Sequence, residues 1–271
     1  MYRIVVDRNR AVSDEAVKSH MEACSHLPVY RDPGKESGSV VICAAGPSLL
    51  KEMEVIKSLY RAGVPVCAVK GVADVLIENG IIPKYAVFMD AHESQARFLK
   101  SPHPGIQYLM CTQTHPKVMG LLEGYNVLTW HGQCKAKAAE LHPGALYLAG
   151  ITTGMAAISL MTSMGYAPLH LFGFDCSYTD LTHVYDKTPD QTIDVTVGGR
   201  DFKTSLAMID QHNALVGLIA QVRLDARVYG DGALYHSARM MVTATRPDDY
   251  VMLVDHPLDS PIIPNLQKEI A

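Results

Sequence analysis

The sequence lacks any C-x-x-C pair among its six cysteines (Cys24, Cys43, Cys67, Cys111, Cys134 and Cys176). Several of them fall in apolar, strand-like runs, where a thiol behaves as a small hydrophobe. This argues against a disulfide scaffold and for a reducing compartment. No arginine cluster or basic stripe is present, which argues against a nucleic-acid surface. No apolar run approaches the length of a membrane span. The opening Met-Tyr-Arg-Ile-Val-Val-Asp-Arg has no apolar core of the kind a signal peptide carries. A cytoplasmic location is the expectation that follows. Internal repeats and low-complexity tracts are missing, as are a Walker loop, an H-E-x-x-H helix and a G-x-S-x-G elbow. What remains is a chain of 271 residues, 48% hydrophobic and 19% charged, with a net charge of −4. That is enough to bury one large α/β core or two small ones.

Residues 1–38 read as a small lead-in, with a strand-like Arg3–Val6 and a helical stretch near Ser13–Cys24. Asp32-Pro33-Gly34-Lys35-Glu36-Ser37-Gly38 has the composition of a linker. From residue 39 the chain alternates strand and helix. The pattern predicts strands over Val40–Ala44, Val64–Val69, Tyr85–Met89, Gln107–Cys111, Val127–Trp130 and Leu169–Phe174. Helices are predicted between them, over Ser48–Ala62, Val72–Asn79, Glu93–Leu99, Pro116–Glu123, Gln133–Leu141 and Thr153–Met164. Gly63, Gly80 and Gly165 stand where a helix C-cap glycine belongs. Such alternation implies a Rossmann-like, open, mainly parallel sheet with helices on both faces, its crossovers right-handed, over residues 39–246. Residues 176–203 break the rhythm as a long polar loop, of a length that is usually functional, with a small hairpin expected at Val195–Gly199. A helix near Thr204–Val222 and a strand at Ala226–Tyr229 follow. Residues 247–271, with four prolines from Pro247 to Pro264, read as an extended tail. A tail of this kind packs on its own domain or on a neighbouring subunit, the latter making a homo-oligomer.

The sharpest local pattern is Val-Val-Ile-Cys-Ala-Ala-Gly-Pro-Ser-Leu over residues 40–49. It reads as a buried strand, a tight turn and a helix start. Gly46 lets a ligand approach the backbone, and Pro47 suits a first helical turn. The N–H groups of Ser48 and Leu49 would then point from a helix N-terminus toward an anion such as a phosphate. An ordinary βα turn has the same residues. Gly150-Ile151-Thr152-Thr153-Gly154 opens a second, apolar helix in the same manner, its hydroxyls suited to a ribose or phosphate or simply to capping. In open parallel sheets ligands bind beyond the carboxyl ends of the strands. Polar residues gather there repeatedly: Lys70, Asp90 and His92, Thr112 to His115, His131, then Asp175, Ser177 and Tyr178. Asp90 suits a metal, a ribose, a substrate amine or a helix cap. His183, in the long loop, has the titration range of a general acid or base, although loop histidines are commonly solvated.

These blocks together resemble a known family. The strand ending in Gly46-Pro47-Ser48-Leu49, then Asn79-Gly80-Ile81-Ile82-Pro83 before the strand ending in Asp90, look like the MptE-like family. So do Gly150 to Gly154, Met164-Gly165-Tyr166 and Leu171-Phe172-Gly173-Phe174-Asp175. That family includes archaeal 6-hydroxymethylpterin diphosphokinases and bacterial motility-associated factors linked to flagellin glycosylation. The blocks at Gly46 and Thr152 are also similar to bacterial sialyltransferases that use a CMP-sugar. The resemblance spans roughly residues 39–186. It implies a nucleotide-binding transferase acting on a small-molecule or glycan acceptor, with Gly46, Pro47, Ser48, Gly150, Thr152, Thr153, Gly154 and Asp175 at the nucleotide and His183 as the base. For a CMP-sugar donor no metal is implied. For an ATP-dependent diphosphotransferase, magnesium is, with Asp90 as a ligand. The chain departs from the diphosphokinase pattern at Met89-Asp90-Ala91-His92, where Asp90 stands without the second acid. A non-catalytic nucleotide-binding protein is the third reading that the fold permits.

Overall fold

A computed structural model describes residues 12–132, 134–148, 150, 152–179, 181–184, 186–187, 192–221 and 224–243. The expected strand at Arg3–Val6 and the tail at 247–271 lie outside them. The core is a seven-stranded sheet, parallel throughout. Its strands are β1 (Val40–Cys43), β2 (Val66–Val69), β3 (Tyr85–Phe88), β4 (Gln107–Cys111), β5 (Asn126–Trp130), β6 (Leu169–Phe172) and β11 (Ala226–Val228). They lie in the order β11-β6-β1-β2-β3-β4-β5. Every residue of β1, β2, β3 and β6 is buried, as a sheet covered on both faces requires. The edge strands β5 and β11 are partly exposed.

Successive strand residues feed two separate cores. Val40, Ile42 and Ala44 face one, and Val41, Cys43 and Ala45 face the other. Helices α2 (Met53–Arg61), α3 (Val72–Glu78) and α4 (Pro116–Gly120) cover the second face. The first face is dominated by α6 (Thr153–Met164), which packs on β1, β2, β3 and β6. Nine of its twelve residues are buried, so it is apolar nearly all round. Gly165 ends it at φ +107°, its N–H bonded to the carbonyls of Met161 and Thr162. Gly63 and Gly80 likewise take positive φ at the ends of α2 and α3.

The lead-in is tied to the same sheet. Helix α1 (Asp14–Ala23), capped by Ser13, packs on α5 (Lys135–Leu141), and Val29 forms a parallel bridge to Thr129 at the β5 edge.

Four features differ from the sequence reading. Residues 47–52 form turns, and α2 starts only at Met53. Residues Glu93–Phe98 wind as a 3₁₀ helix. The long loop carries two hairpins, β7 (Leu181–His183) with β8 (Asp186–Lys187) and β9 (Ile193–Val197) with β10 (Arg200–Thr204). The second of these is the one expected near Val195–Gly199, longer than foreseen. After α7 (Leu206–Gln221), helix α8 (Ala233–Thr243) follows β11 and was not anticipated. No helix among the described residues is long and apolar enough to cross a membrane.

Candidate functional site

From β1 the chain proceeds outward through β2, β3, β4 and β5, then returns by α6 to place β6 on the other side of β1. This reversal leaves a crevice beyond the carboxyl ends of β1 and β6, the usual ligand position in such sheets. A cavity of about 290 Å³ occupies it. Ala44 to Gly46 form one wall, Gly173 and Asp175 a second, and Thr152 to Gly154 at the start of α6 a third. The sheet therefore brings together Gly46, Thr152, Thr153, Gly154 and Asp175, as the strand-end pattern implied. Gly150 stands behind them: a Cβ there would meet the Ala156 backbone nitrogen at 2.8 Å, so it packs on α6 and does not line the cavity.

Thr152 is the N-cap of α6, in extended conformation, and its Oγ1 accepts the Met155 N–H at 3.3 Å. The positive end of a 12-residue helix is thereby presented to the cavity. Two cationic side chains from the sheet's other flank, Lys70 and Arg97, line the same space, together with Gln95 and Phe98. Lys70 sits at φ +53°, its N–H bonded to Val87 O, and its Nζ lies 3.4 Å from Asp90 Oδ2 and 5.9 Å from the Phe98 ring centre. Among the lining side chains, two cations stand against one carboxylate, that of Asp175.

Asp175 is buried, at 6% exposure. Its Oδ2 accepts the Ser48 N–H at 3.1 Å and the Ser48 hydroxyl at 3.0 Å. Burial raises its carboxyl above the usual range, and the two Ser48 donors oppose that rise. The glycines around it are spatial necessities. A Cβ on Gly46 would lie 2.1 Å from Asp175 Oδ2, and one on Gly232 would lie 2.5 Å from Asp175 Cα.

This arrangement alters the reading of the Gly46-Pro47-Ser48 turn. The Ser48 N–H is already taken by Asp175, and the Leu49 N–H by Gly46 O at 3.1 Å. The anion held by that turn is the protein's own carboxylate. Of the three turn residues Gly46 lines the cavity, whereas Pro47 and Ser48 do not.

Asp90 lies outside the lining. It pairs with Lys70 and accepts the His92 N–H at 3.1 Å, beginning the 3₁₀ helix. Its charged neighbour is an ammonium, and no group of three His, Cys, Asp or Glu able to hold a metal occurs among the described residues. The donor set around Asp90 does not fit a magnesium ion, which takes several hard oxygens. His183 belongs to β7, and its side chain lies outside the described residues. The backbone nearby is fixed, because the Val184 N–H donates to Ala45 O at 2.9 Å, at the cavity rim. Sequence reading missed Gln95, Arg97 and Phe98, which come from a 3₁₀ turn with no local signature, and undervalued Lys70, whose place after β2 was its one signal.

Fold and crevice define a Rossmann-like α/β protein with a cavity at its topological switch point. The model of the family described as 6-hydroxymethylpterin diphosphokinase MptE-like matches residues 17–181, and the chain belongs to that family. No match is found among curated proteins. Among solved structures, the chain is similar to the MAf glycosyltransferase from Magnetospirillum magneticum AMB-1, with a TM-score of 0.61 and 20% identity. The superposition covers 80% of this chain and 36% of that one, so the chain spans about a third of its neighbour's length. At this identity the likeness is one of fold.

Proposed function

We propose that the cavity at the β1–β6 switch point holds the phosphate of a nucleotide-activated sugar, of CMP type, and that the protein is a glycosyltransferase-like transferase. The observation that carries this reading is convergence in one cavity. The N-terminus of α6, the Lys70 ammonium, the Arg97 guanidinium and the Cβ-free backbone of Gly46 and Gly173 all line it. As a glycosidic bond to phosphate breaks, negative charge grows on the leaving phosphate, and fixed donors there favour the transition state. His183, one residue from the strand tie at Val184–Ala45, is the proposed base that takes the acceptor hydroxyl proton. The family description favours a second reading, transfer of diphosphate from ATP. The unsuited donor set at Asp90 weighs against it.

The test is thermal unfolding with CMP, UDP and GDP sugars. A ligand at 100 times its dissociation constant adds about 2.7 kcal/mol of stability, a shift of several degrees. Lys70→Met is expected to weaken binding of the stabilising nucleotide by roughly tenfold, the worth of one charge-assisted hydrogen bond. If no nucleotide sugar raises the melting temperature, the donor reading fails. Magnesium-dependent AMP release with a pterin alcohol, abolished in Asp90→Asn, would establish the second reading instead.

A further inference from the structure

Asp175 closes two cavities. Beyond it, away from α6, lies a second space of about 330 Å³, between the Ser48 turn, Ser177–Thr179, strand β10 and Gly232. Asp175 and Ser177 line both cavities. The second differs in character from the first. Its charged groups are mixed in sign and mostly paired. Arg200 holds Asp231 through two hydrogen bonds, at 2.6 and 2.8 Å, and also meets His236 Nε2 at 3.0 Å. Lys203 is paired with Asp194 at 3.0 Å, and Asp201 accepts the Thr196 hydroxyl at 2.6 Å. Ser48, Ser177, Tyr178 and Thr179 complete the lining, the hydroxyls of Ser48 and Ser177 donating to Asp175. Donors and acceptors alternate around a space with little net charge, which suits a molecule carrying several hydroxyl groups more than a phosphate chain.

We infer that this second cavity is an acceptor site for a polyhydroxylated, sugar-sized molecule, and that Asp175 is the positioning residue between acceptor and donor. The inference rests on the donor reading given above for its direction of transfer. Ser48 engages Oδ2 of Asp175 through both its donors, and the acceptor hydroxyl is assigned to the other carboxylate oxygen. Asp175 is closely confined, because a Cβ on Gly46 would overlap its carboxylate and one on Gly232 would overlap its Cα, Cβ and carbonyl oxygen. Asp175 and Ser177 are common to both linings, so an acceptor held in the second cavity abuts the donor cavity. In the transfer its hydroxyl would attack the anomeric carbon of the donor as the bond from that carbon to the phosphate oxygen breaks, the phosphate leaving into the first cavity and the hydroxyl proton passing to the base. Lys51 and Asp201 line this second cavity and not the first. Both are exposed. They make the site separable from the nucleotide cavity.

The experiment uses saturation-transfer NMR on the full chain with methyl α-glucoside and its 6-phosphate as probes, with and without CMP. Transfer to at least one probe is expected in the wild type. In the Lys51→Ala/Asp201→Ala double variant its affinity should fall tenfold or more, while the melting temperature and the shift caused by CMP stay at their wild-type values. A preference for the phosphorylated probe would assign Lys51 to an acidic substituent of the acceptor. Absence of transfer to both probes, or transfer unchanged in the double variant, overturns the assignment. Loss of the CMP shift together with probe binding overturns it too, since the two cavities would then be one site. Probe binding that the double variant loses, in a protein that CMP does not stabilise, would instead sink the donor reading and leave the polyol site standing.

Discussion

Gly173→Ala is expected to unfold the protein or bring it close to unfolding. Gly173 follows β6 at φ +67°, and a Cβ there would lie 2.1 Å from Ala44 O. The obstacle is backbone at the end of β1, so no side-chain rotation relieves it. The Gly46 N–H also bonds Gly173 O at 2.8 Å, and any shift of Gly173 strains that bond. Left-handed backbone costs a non-glycine residue about 1 kcal/mol, and overpacking against a fixed wall adds about 1–3 kcal/mol. With the bond disturbed, the total is roughly 3–5 kcal/mol, against a domain stability of about 5–15 kcal/mol. Gly80→Ala is the control. Gly80 also has positive φ, +79°, but nothing lies within 4 Å of its added Cβ. It should lose only about 1 kcal/mol. Urea denaturation of both variants checks the pair, and equal losses would refute the close approach of β1 and β6.

Lowering the pH from 6.5 to 4 should remove on the order of 5 kcal/mol of stability, the summed effect of two buried histidines at about 1.4 kcal/mol per pKa unit. His131 and His212 are 1% and 0% exposed. Burial brings each from the usual 6.5 down to about 4. Their neutral forms are built into hydrogen-bonded chains. Ser25 O can only accept, so His142 Nε2–H donates to it at 3.0 Å. His142 Nδ1 then accepts from His131 Nε2–H at 3.1 Å, and His131 Nδ1 accepts the Thr112 hydroxyl at 2.8 Å. His212 Nε2 meets the Ser237 hydroxyl at 2.7 Å. The sign follows from linkage. The unfolded chain binds a proton near 6.5 and the folded one only near 4, so the stability is complete above 6.5 and is lost as pH falls through that window. Asp175 and Asp74, whose carboxyls burial raises, work in the opposite direction and soften the fall. Unfolding free energies measured at pH 7, 5.5 and 4.5 test this. His131→Asn should flatten the slope, and an equally steep slope in that variant would exclude His131 as a source.

The sheet was legible in the sequence because each βα unit is written locally. Four apolar residues, a small-residue turn and an amphipathic stretch recur, and burial on both faces forces that pattern. Helix α8 escaped notice because Gly230, Asp231 and Gly232 precede it without a clear cap, and its N-terminus is instead satisfied from a distance. The Ala233 N–H donates to Ser177 Oγ and the Leu234 N–H to Asp175 O. The same long-range logic governs the candidate site. Position after a strand was enough to suggest Gly46, Thr152–Gly154 and Asp175. It was not enough to show that Asp175 occupies the Ser48 amide, because no local spacing records a contact between residues 127 positions apart. Gln95 and Arg97 belong to a 3₁₀ turn whose place at the cavity is set by β3 and β4 on either side of it.

The switch point also bears on how the protein is made. Gly46 and Ser48 are synthesised well before their partners at Gly173, Asp175 and Gly232, more than 120 residues further along the chain. Domains fold as units, and pairing across long sequence separations is slow. A nascent chain that ends before β6 can pair β1 to β5 but has no crevice at all. The crevice therefore forms only with the strand that buries the open edge of β1. Truncated or stalled chains should expose that edge and be cleared.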